Sequence, residues 1–501
     1  MVPSVEHECA LTAIVTEQAS RITALEQELA LMKKLAFSRK SEKSKKSGKM
    51  PSVASTLPKD PLSEEERIAN RQATRDAKAA ERREKMATVV VEHTVLDSDK
   101  QCTSCGGDKF APLGAGKVTT VIEWIPGRLV QYEHVQEVLR CTCGSCVLTA
   151  AGAPKVIEGG RYGASFLAHL VVEKCVDHTP FYRIEKEFKR QDLSLSRSTM
   201  NALFHRTASM LKPVSDALLK NICARPIVQA DETRLRMQNG GDGKAKDGYI
   251  WTFVAKANDG GIDTAYVFAD NRSSKTPLAM LGNTQGVLVA DAYSGYNAVS
   301  GDDGRERAGC YAHVRRKFFD ALDTAPSAQQ PIDLILELYI IEHEAKQRDI
   351  VGTPEHLAIR TQQSSLVRDK LKAWLDANLD LHPPKSAIAK AIGYALNTWD
   401  CLGVFLKDPD IPLDNNPSER ALRRVALGRK NFLFVGDLEA GKNIAGLYSI
   451  VATCELRNIN PYEYLCDVLM RVNDHPASKI DELLPGNWFS MRNQAVTEID
   501  A

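Results

Sequence analysis

The chain has 501 residues, 43% of them hydrophobic and 26% charged, with a formal net charge of +1. This is the composition of an ordinary water-soluble protein of about three or four domains. No apolar run reaches the ~18 residues a membrane span requires. The opening MVPSVEHECA has neither a basic n-region nor an apolar core, so no secretory signal is expected and a cytoplasmic location is the default. Near-zero net charge leaves nucleic-acid binding open, because what counts is where the basic residues cluster.

Residues 1–48 open with apolar positions at Leu11, Val15, Ile22, Leu25, Leu29, Met32 and Ala36, Gln18 being the polar exception. Alternate spacing by three and four predicts a coiled coil, and through it a homo-oligomer. The stretch from Lys33 to Lys49 then carries eight basic residues against one acid, Glu42. Such a run is either a solvated tail or a segment lying along DNA phosphates. Residues 49–87 read as a Pro-containing linker followed by a charged helix or spacer.

Residues 88–155 contain Cys102-x-x-Cys105 and Cys143-x-x-Cys146, with strand-like stretches at Val118–Ile125 and Val130–Leu139 between them. Two such knuckles supply four thiolates for one tetrahedral Zn²⁺. Four protein ligands leave no open position, so the zinc is expected to be structural. Cys141 is a spare thiol.

Residues 156–222 are expected to be helical. A helix from Phe181 to Lys189, the turn QDLSLS and a second helix capped by Ser196 suggest a helix-turn-helix. Its second helix would offer Arg197, Ser198, Thr199 and Asn201 to DNA.

From Pro226 the pattern changes to strands. PIVQA runs into Asp231, and GVLVA runs into Asp291. An apolar strand that delivers a carboxylate needs a cation or an exit to solvent to offset the cost of a buried charge. Strands are also predicted at Tyr249–Ala255, Thr264–Ala269 and about Ala308–Ala312, with a helix at Ser273–Leu281. Three strands, helix, strand, short helix, strand is the order of the ribonuclease-H-like fold. In that fold the first and fourth strands are neighbours, so Asp231 and Asp291 would face one another. A helical insertion is expected over about 325–410. Beyond it, in LDNNPSERALRR, Asn416 reads as an N-cap, Pro417 as the first helical residue and Glu419 as N3. Glu419 is then either a capping-box acid or a metal ligand, and Asp414 is its nearest competitor.

ADET at 230–233, ADAYSGY at 290–296, CYAHVRRKF at 310–318, NNPSERALR at 415–423 and GLYSIVATCELRNINPYEYLCDVL at 446–469 resemble motifs of the insertion sequence 66 family of bacterial transposases. RKSEK, the two Cys knuckles and DHTPFYR…LSRSTM resemble the upstream parts of that family, in order. The stretch AFSRKSEK, where a Gly-containing version is common in the family, and the extra Cys141 depart from its pattern. The resemblance implies a multidomain α+β protein: coiled coil, small zinc-binding domain, helix-turn-helix, and a ribonuclease-H-like catalytic domain over 223–470 with the helical insertion, then a tail over 471–501.

It implies a DDE triad of Asp231, Asp291 and Glu419 holding two Mg²⁺, with cleavage at the element ends followed by strand transfer into target double-stranded DNA. Cys310, His313 and Asn416 would support the site. Arg315, Arg316, Lys317, Arg420, Arg423, Arg424, Arg429 and Lys430 would line the DNA path. Accessory element-encoded proteins and action at the nucleoid are further implications. A structure-specific nuclease of the same fold and a non-catalytic DNA-binding regulator are the competing readings.

Overall fold

The computed structural model describes residues 155–238, 244–301 and 304–499, with the short stretches 68–69, 71–74, 127–140 and 147–150 and the single residues 77 and 152. The expected coiled coil, the basic run, the linker and all four knuckle cysteines lie outside these residues. Pro126–Ala501 forms one compact unit. It begins with a hairpin, β1 (Val138–Arg140) and β2 (Val147–Thr149), paired antiparallel. Of the strand expected over Val130–Leu139, only this last part is extended in a ladder.

Three helices follow: α1 (Ala164–Cys175), α2 (Phe181–Arg190) and α3 (Arg197–Cys223). Ser196 caps α3 by accepting the Thr199 amide at 3.1 Å, as its sequence position predicts. Arg197, Ser198 and Asn201 are exposed on the first turns, and Thr199 is half-buried. Unlike a short recognition helix, α3 runs for 27 residues. Its second half buries Leu211, Val214, Leu218 and Ile222 in the same core as the sheet. The boundary expected at residue 222 is therefore not a core boundary.

A mixed sheet carries the rest, with strands β3 (Ile227–Gln238), β4 (Ala245–Lys256), β5 (Ile262–Ala269), β6 (Gly286–Val289) and β7 (Arg305–Ala308) in the order β5-β4-β3-β6-β7. Helix α4 (Lys275–Leu281) connects β5 to β6. The first three strands are antiparallel, and β3, β6 and β7 are parallel. The first and fourth strands are thus neighbours, as expected. Gly286 opens β6 at φ +113°, and a Cβ there would meet the Pro226 carbonyl oxygen at 2.1 Å. Only glycine fits so close an approach at that dihedral.

Two strand boundaries differ from expectation. β3 does not stop at Asp231 but continues seven residues further, to Gln238, because its polar half pairs with β4 along its whole length. β7 ends at Ala308, and the expected strand over Ala308–Ala312 gives way to α5 (Tyr311–Ala321).

The insertion is helical, with α6 (Gln329–Gln347), α7 (Pro354–Ile359), α8 (Ser365–Asn378) and α9 (Ala387–Asn397). Arg360, at the start of the π-helical stretch that joins α7 to α8, is 1% exposed. It donates to both Glu342 carboxylate oxygens at 2.8 and 2.7 Å, and to the carbonyls of Phe405, Asp408 and Ile411 at 2.9, 2.9 and 3.0 Å. One guanidinium thereby ties the insertion to the segment that leads back to the sheet. Arg360→Leu would leave Glu342 without its main partner and take the guanidinium donor from three carbonyls, of which Asp408 keeps the Ile411 amide. We expect it to cost about 3–5 kcal/mol in chemical denaturation; a loss under about 1 kcal/mol would show that the clamp is not structural.

The chain then forms α10 (Asn416–Phe432), a short β8 (Phe434–Val435) beside the far half of β3, α11 (Leu438–Leu456) and α12 (Pro461–Arg471). α11 seals the edge strand β5. Ser449 Oγ accepts the Tyr266 amide, while Thr453 Oγ1 accepts the Thr264 amide and donates to the Thr264 carbonyl, so these edge groups are not left bare. The segment expected as a tail is packed: α13 (Pro485–Ile499) buries Trp488, whose indole donates to Asp467 at 2.7 Å.

Candidate active site

The site follows from register. β3 and β6 pair as Ile227 with Val287, Val228 with Leu288 and Gln229 with Val289, an offset of 60 positions. Carried two residues past the last pair, the same offset aligns Asp231 with Asp291. The two acids therefore leave adjacent parallel strands at one level. Asp231 is half-buried and pairs with Thr252 across the other ladder, which puts it on the sheet face carrying Gln229 and Thr233. Asp291 Oδ1 accepts the Tyr293 amide at 3.0 Å.

Glu419 reaches the same place from α10. This helix lies against that face, pinned by Tyr266 Oη to the Ala421 carbonyl and by Arg429 to Thr233 Oγ1 and the Arg234 carbonyl. Burial pushes the Asp231 carboxyl up to about 8, helped first by Glu232 and then by Asp291 and Glu419. Asp291 and Glu419 thus both bear electrostatically on the Asp231 carboxyl, behind burial and Glu232.

The start of α10 differs by one position from its sequence reading. Asn415, not Asn416, stands at the cap, and Glu419 is the fourth helical residue. Asp414 takes the capping duty by accepting the Asn416 amide at 3.0 Å. It also accepts Tyr339 Oη at 2.9 Å and the Asn416 side-chain amide at 2.5 Å. Asp414 is thus committed to structure, and the capping box through Glu419 is not formed. Glu419 Oε1 instead lies 3.7 Å from His313 Nδ1, and Oε2 lies 3.9 Å from Arg316.

Sequence reasoning missed Asn415. It is fully buried. Its Nδ2 donates to the Ala230 carbonyl at 2.7 Å, its backbone N–H donates to Cys310 Sγ at 3.3 Å, and its carbonyl accepts the Glu419 amide at 3.2 Å. One residue joins the strand of Asp231, the helix of Glu419 and the Cys310 loop.

A second cluster backs the site. Glu232 is buried and accepts Tyr296 Oη at 2.7 Å and Arg272 Nε at 2.7 Å. Arg272 stacks 4.0 Å from the Tyr293 ring centroid, and Arg307 donates to the Asp291 carbonyl while lying 5.0 Å from the Tyr296 ring. The tyrosine hydroxyls of ADAYSGY are both occupied as donors, Tyr293 to the Arg272 carbonyl and Tyr296 to Glu232.

Among the basic residues, Arg316, Lys317, Arg420, Arg423 and Lys430 are exposed. Three of the expected DNA-path arginines are not. Arg315 is 4% exposed, and burial pushes its guanidinium down to about 10. Arg424 turns inward to the Cys175 carbonyl at 2.7 Å and to Glu455. Arg429 is spent on β3.

Residues 159–443 match the family described as Transposase IS66 family, residues 449–485 match the IS66 C-terminal element, and residues 99–144 match the zinc-finger binding domain of transposase IS66. The first match takes α1–α3 together with the sheet, as the shared core does. The last contains Cys102, Cys105, Cys141 and Cys143 and ends two residues before Cys146.

Two proteins of Sinorhizobium fredii (strain NBRC 101917 / NGR234) are similar along most of the chain. "Uncharacterized protein y4hP" is 31% identical over 79% of this chain and 75% of its own length. "Uncharacterized protein y4jD" is 32% identical over 78% of each. The class is thus that of a transposase, an enzyme acting on DNA. Within that class, the chain belongs to the IS66 family. No helix of the described residues is long and apolar enough to cross a membrane.

Proposed function

We propose that the protein is a DDE-type DNA transposase that cuts at the ends of its insertion sequence and joins them to target DNA. The observation that carries this reading is the parallel register of β3 and β6 through Gln229 and Val289, which, carried two residues further, brings Asp231 level with Asp291, while Glu419 bears on Asp231 from α10. The strand order supports a ribonuclease-H-like core. The residues fit two Mg²⁺: Asp291 and Glu419 both bear on the Asp231 carboxyl, which stays protonated to about 8 without a cation, and Glu419 Oε1 is buried with no hydrogen-bond partner. Asp231, Asp291 and Glu419 would hold the ions, which supply activation of the attacking hydroxyl and neutralisation of charge at the scissile phosphate.

The protein's own groups do the rest. Asn415 sets the distance between the Asp231 strand and the Glu419 helix. Arg272, Tyr296 and Glu232 brace the Asp291 loop. Arg316, Arg420 and Arg423 would take DNA phosphates on either side, and Arg197, Ser198, Thr199 and Asn201 would contact DNA from the start of α3. The finger cysteines would hold one structural Zn²⁺, with Cys102 and Cys105 from one knuckle and Cys143 and Cys146 from the other. A homo-oligomer through the N-terminal heptads and accessory element-encoded proteins complete the reading.

The test uses labelled DNA carrying the inverted repeats that flank the gene, a target plasmid and Mg²⁺. Nicked ends and joined products are both expected. Cleavage without joining would make the protein a nuclease, and binding without either product would make it a regulator.

A further inference from the structure

Two side chains that Mg²⁺ chemistry does not use meet one of the proposed catalytic acids, Glu419. Cys310 is the last residue before α5, and His313 lies on the first turn of that helix. Glu419 faces them from the first turns of α10. The Sγ of Cys310, a ring nitrogen of His313 and a carboxylate oxygen of Glu419 all lie within 4.8 Å of one another. His313 Nδ1 and Glu419 Oε1 are both sealed from solvent, and neither has a hydrogen-bond partner. Two such atoms pointed at each other are costly unless something sits between them.

Their separation is 3.7 Å. That is too long for a hydrogen bond. It is close to the edge of a tetrahedron around one ion, about 3.4 Å for bonds of about 2.1 Å. Cys310 completes a third corner. Its sulfur already receives the Asn415 amide at 3.3 Å, a hydrogen bond that suits a thiolate ligand. A thiolate with an imidazole and one carboxylate oxygen selects a borderline-soft ion such as Zn²⁺ or Co²⁺, while Mg²⁺ prefers oxygen alone.

We propose that Cys310, His313 and Glu419 form a three-ligand site for Zn²⁺ or Co²⁺, separate from the zinc finger, and that filling it withdraws Glu419 from the Mg²⁺ pair. The site itself stands independently of the two-magnesium reading; only the competition for Glu419 rests on that reading. Binding converts the Cys310 thiol to a thiolate and releases its proton to solvent. Three protein ligands leave the fourth position to water. Zinc is therefore an inhibitor of the reaction for which magnesium is the cofactor, and Glu419 is the shared ligand.

The first measurement counts metal on the full chain, which needs no transposition. Protein equilibrated with micromolar Zn²⁺ and freed of unbound ion should carry one more zinc per chain than Cys310→Ser or His313→Gln. Whatever the finger binds is common to all three and cancels in the difference. Co²⁺ should likewise give a thiolate-to-cobalt absorption band that is weaker in Cys310→Ser by one ligand. Equal zinc counts in the wild type and both variants, each with a cooperative melting transition, overturn the site and indicate a plain His313–Glu419 ion pair.

The second measurement is Zn²⁺ inhibition of Mg²⁺-dependent cleavage, each protein scaled to its own uninhibited rate. Inhibition should weaken at least about tenfold in Cys310→Ser and be relieved by excess Mg²⁺. An additional bound zinc that leaves the rate unchanged overturns the competition. Absence of cleavage in every protein, with the extra zinc present, instead counts against the transposase reading.

Discussion

Asp231→Asn is expected to lose both cleavage and joining, by about a thousandfold or more, with DNA binding unchanged. The carboxylate is asked to hold a cation that stabilises charge on the reacting phosphate. Removing such a contact is worth about 4 kcal/mol of barrier, and each 1.36 kcal/mol is tenfold in rate. The same change should act on stability in the opposite direction. Burial and the neighbouring acids raise the Asp231 carboxyl from 3.8 to about 8 in the folded protein. Between those values the folded chain holds a proton that the unfolded chain has released, so stability present at low pH is lost as pH rises towards 8. Asparagine carries no such penalty.

Without metal, Asp231→Asn should therefore melt at or above the wild type at pH 8 and differ from it least at pH 4. Mg²⁺ should raise the melting temperature of the wild type far more than that of the variant, because a ligand stabilises only the state that binds it. Thermal melts at both pH values, with and without Mg²⁺, read this directly. A variant less stable than the metal-free wild type at pH 8 would place Asp231 in a structural network rather than a cation site.

How far this site could be read from sequence depends on which interactions are local. The two aspartates were legible because apolar runs lead into them, and a buried strand that reaches a carboxylate needs a reason. Glu419 was legible only as one of two alternatives. Its capping geometry shifted by one residue because Asp414 captured the Asn416 amide, a contest between neighbouring side chains that propensity does not resolve. The paired basic residues misled for a geometric reason. Adjacent positions on a helix point about 100° apart, so a basic pair can straddle the edge of the buried face, and here Arg315 and Arg424 fall on its inner side. Asn415 was invisible because its partner, Ala230, lies 185 positions away. The long polar half of β3 was missed because its apolar signal ends at Ala230, while its pairing with β4 does not.

Asn415→Ala should follow Asp231→Asn in size, and for a different reason. The substitution removes the donor to the Ala230 carbonyl in a fully buried position, leaving an acceptor unmet at a cost of about 1–3 kcal/mol. The backbone contacts to Cys310 Sγ and Glu419 survive, since they belong to the main chain of residue 415. What is lost is the side-chain tie between strand and helix nearest to Asp231 and Glu419, the Arg429 contacts to Thr233 and Arg234 further along remaining. Misplacing a reacting group by about 1 Å can cost about a hundredfold, so cleavage should fall by that order while the folded population stays above nine-tenths if global stability is in the usual 5–15 kcal/mol range.

DNA affinity should not change, because no DNA-facing group is touched, and the Mg²⁺ concentration for half-maximal rate should rise. Asn415→Asp should be worse than Asn415→Ala above neutral pH. An ionised carboxylate cannot donate to Ala230, and it adds one more acid beside Asp231, Asp291 and Glu419. Single-turnover cleavage across a Mg²⁺ series, read beside chemical denaturation of the same proteins, separates positioning from folding. If the rate falls only in proportion to the unfolded fraction, Asn415 merely packs; if it falls in the fully folded protein and recovers in part at high Mg²⁺, Asn415 holds the two halves of the metal site in register.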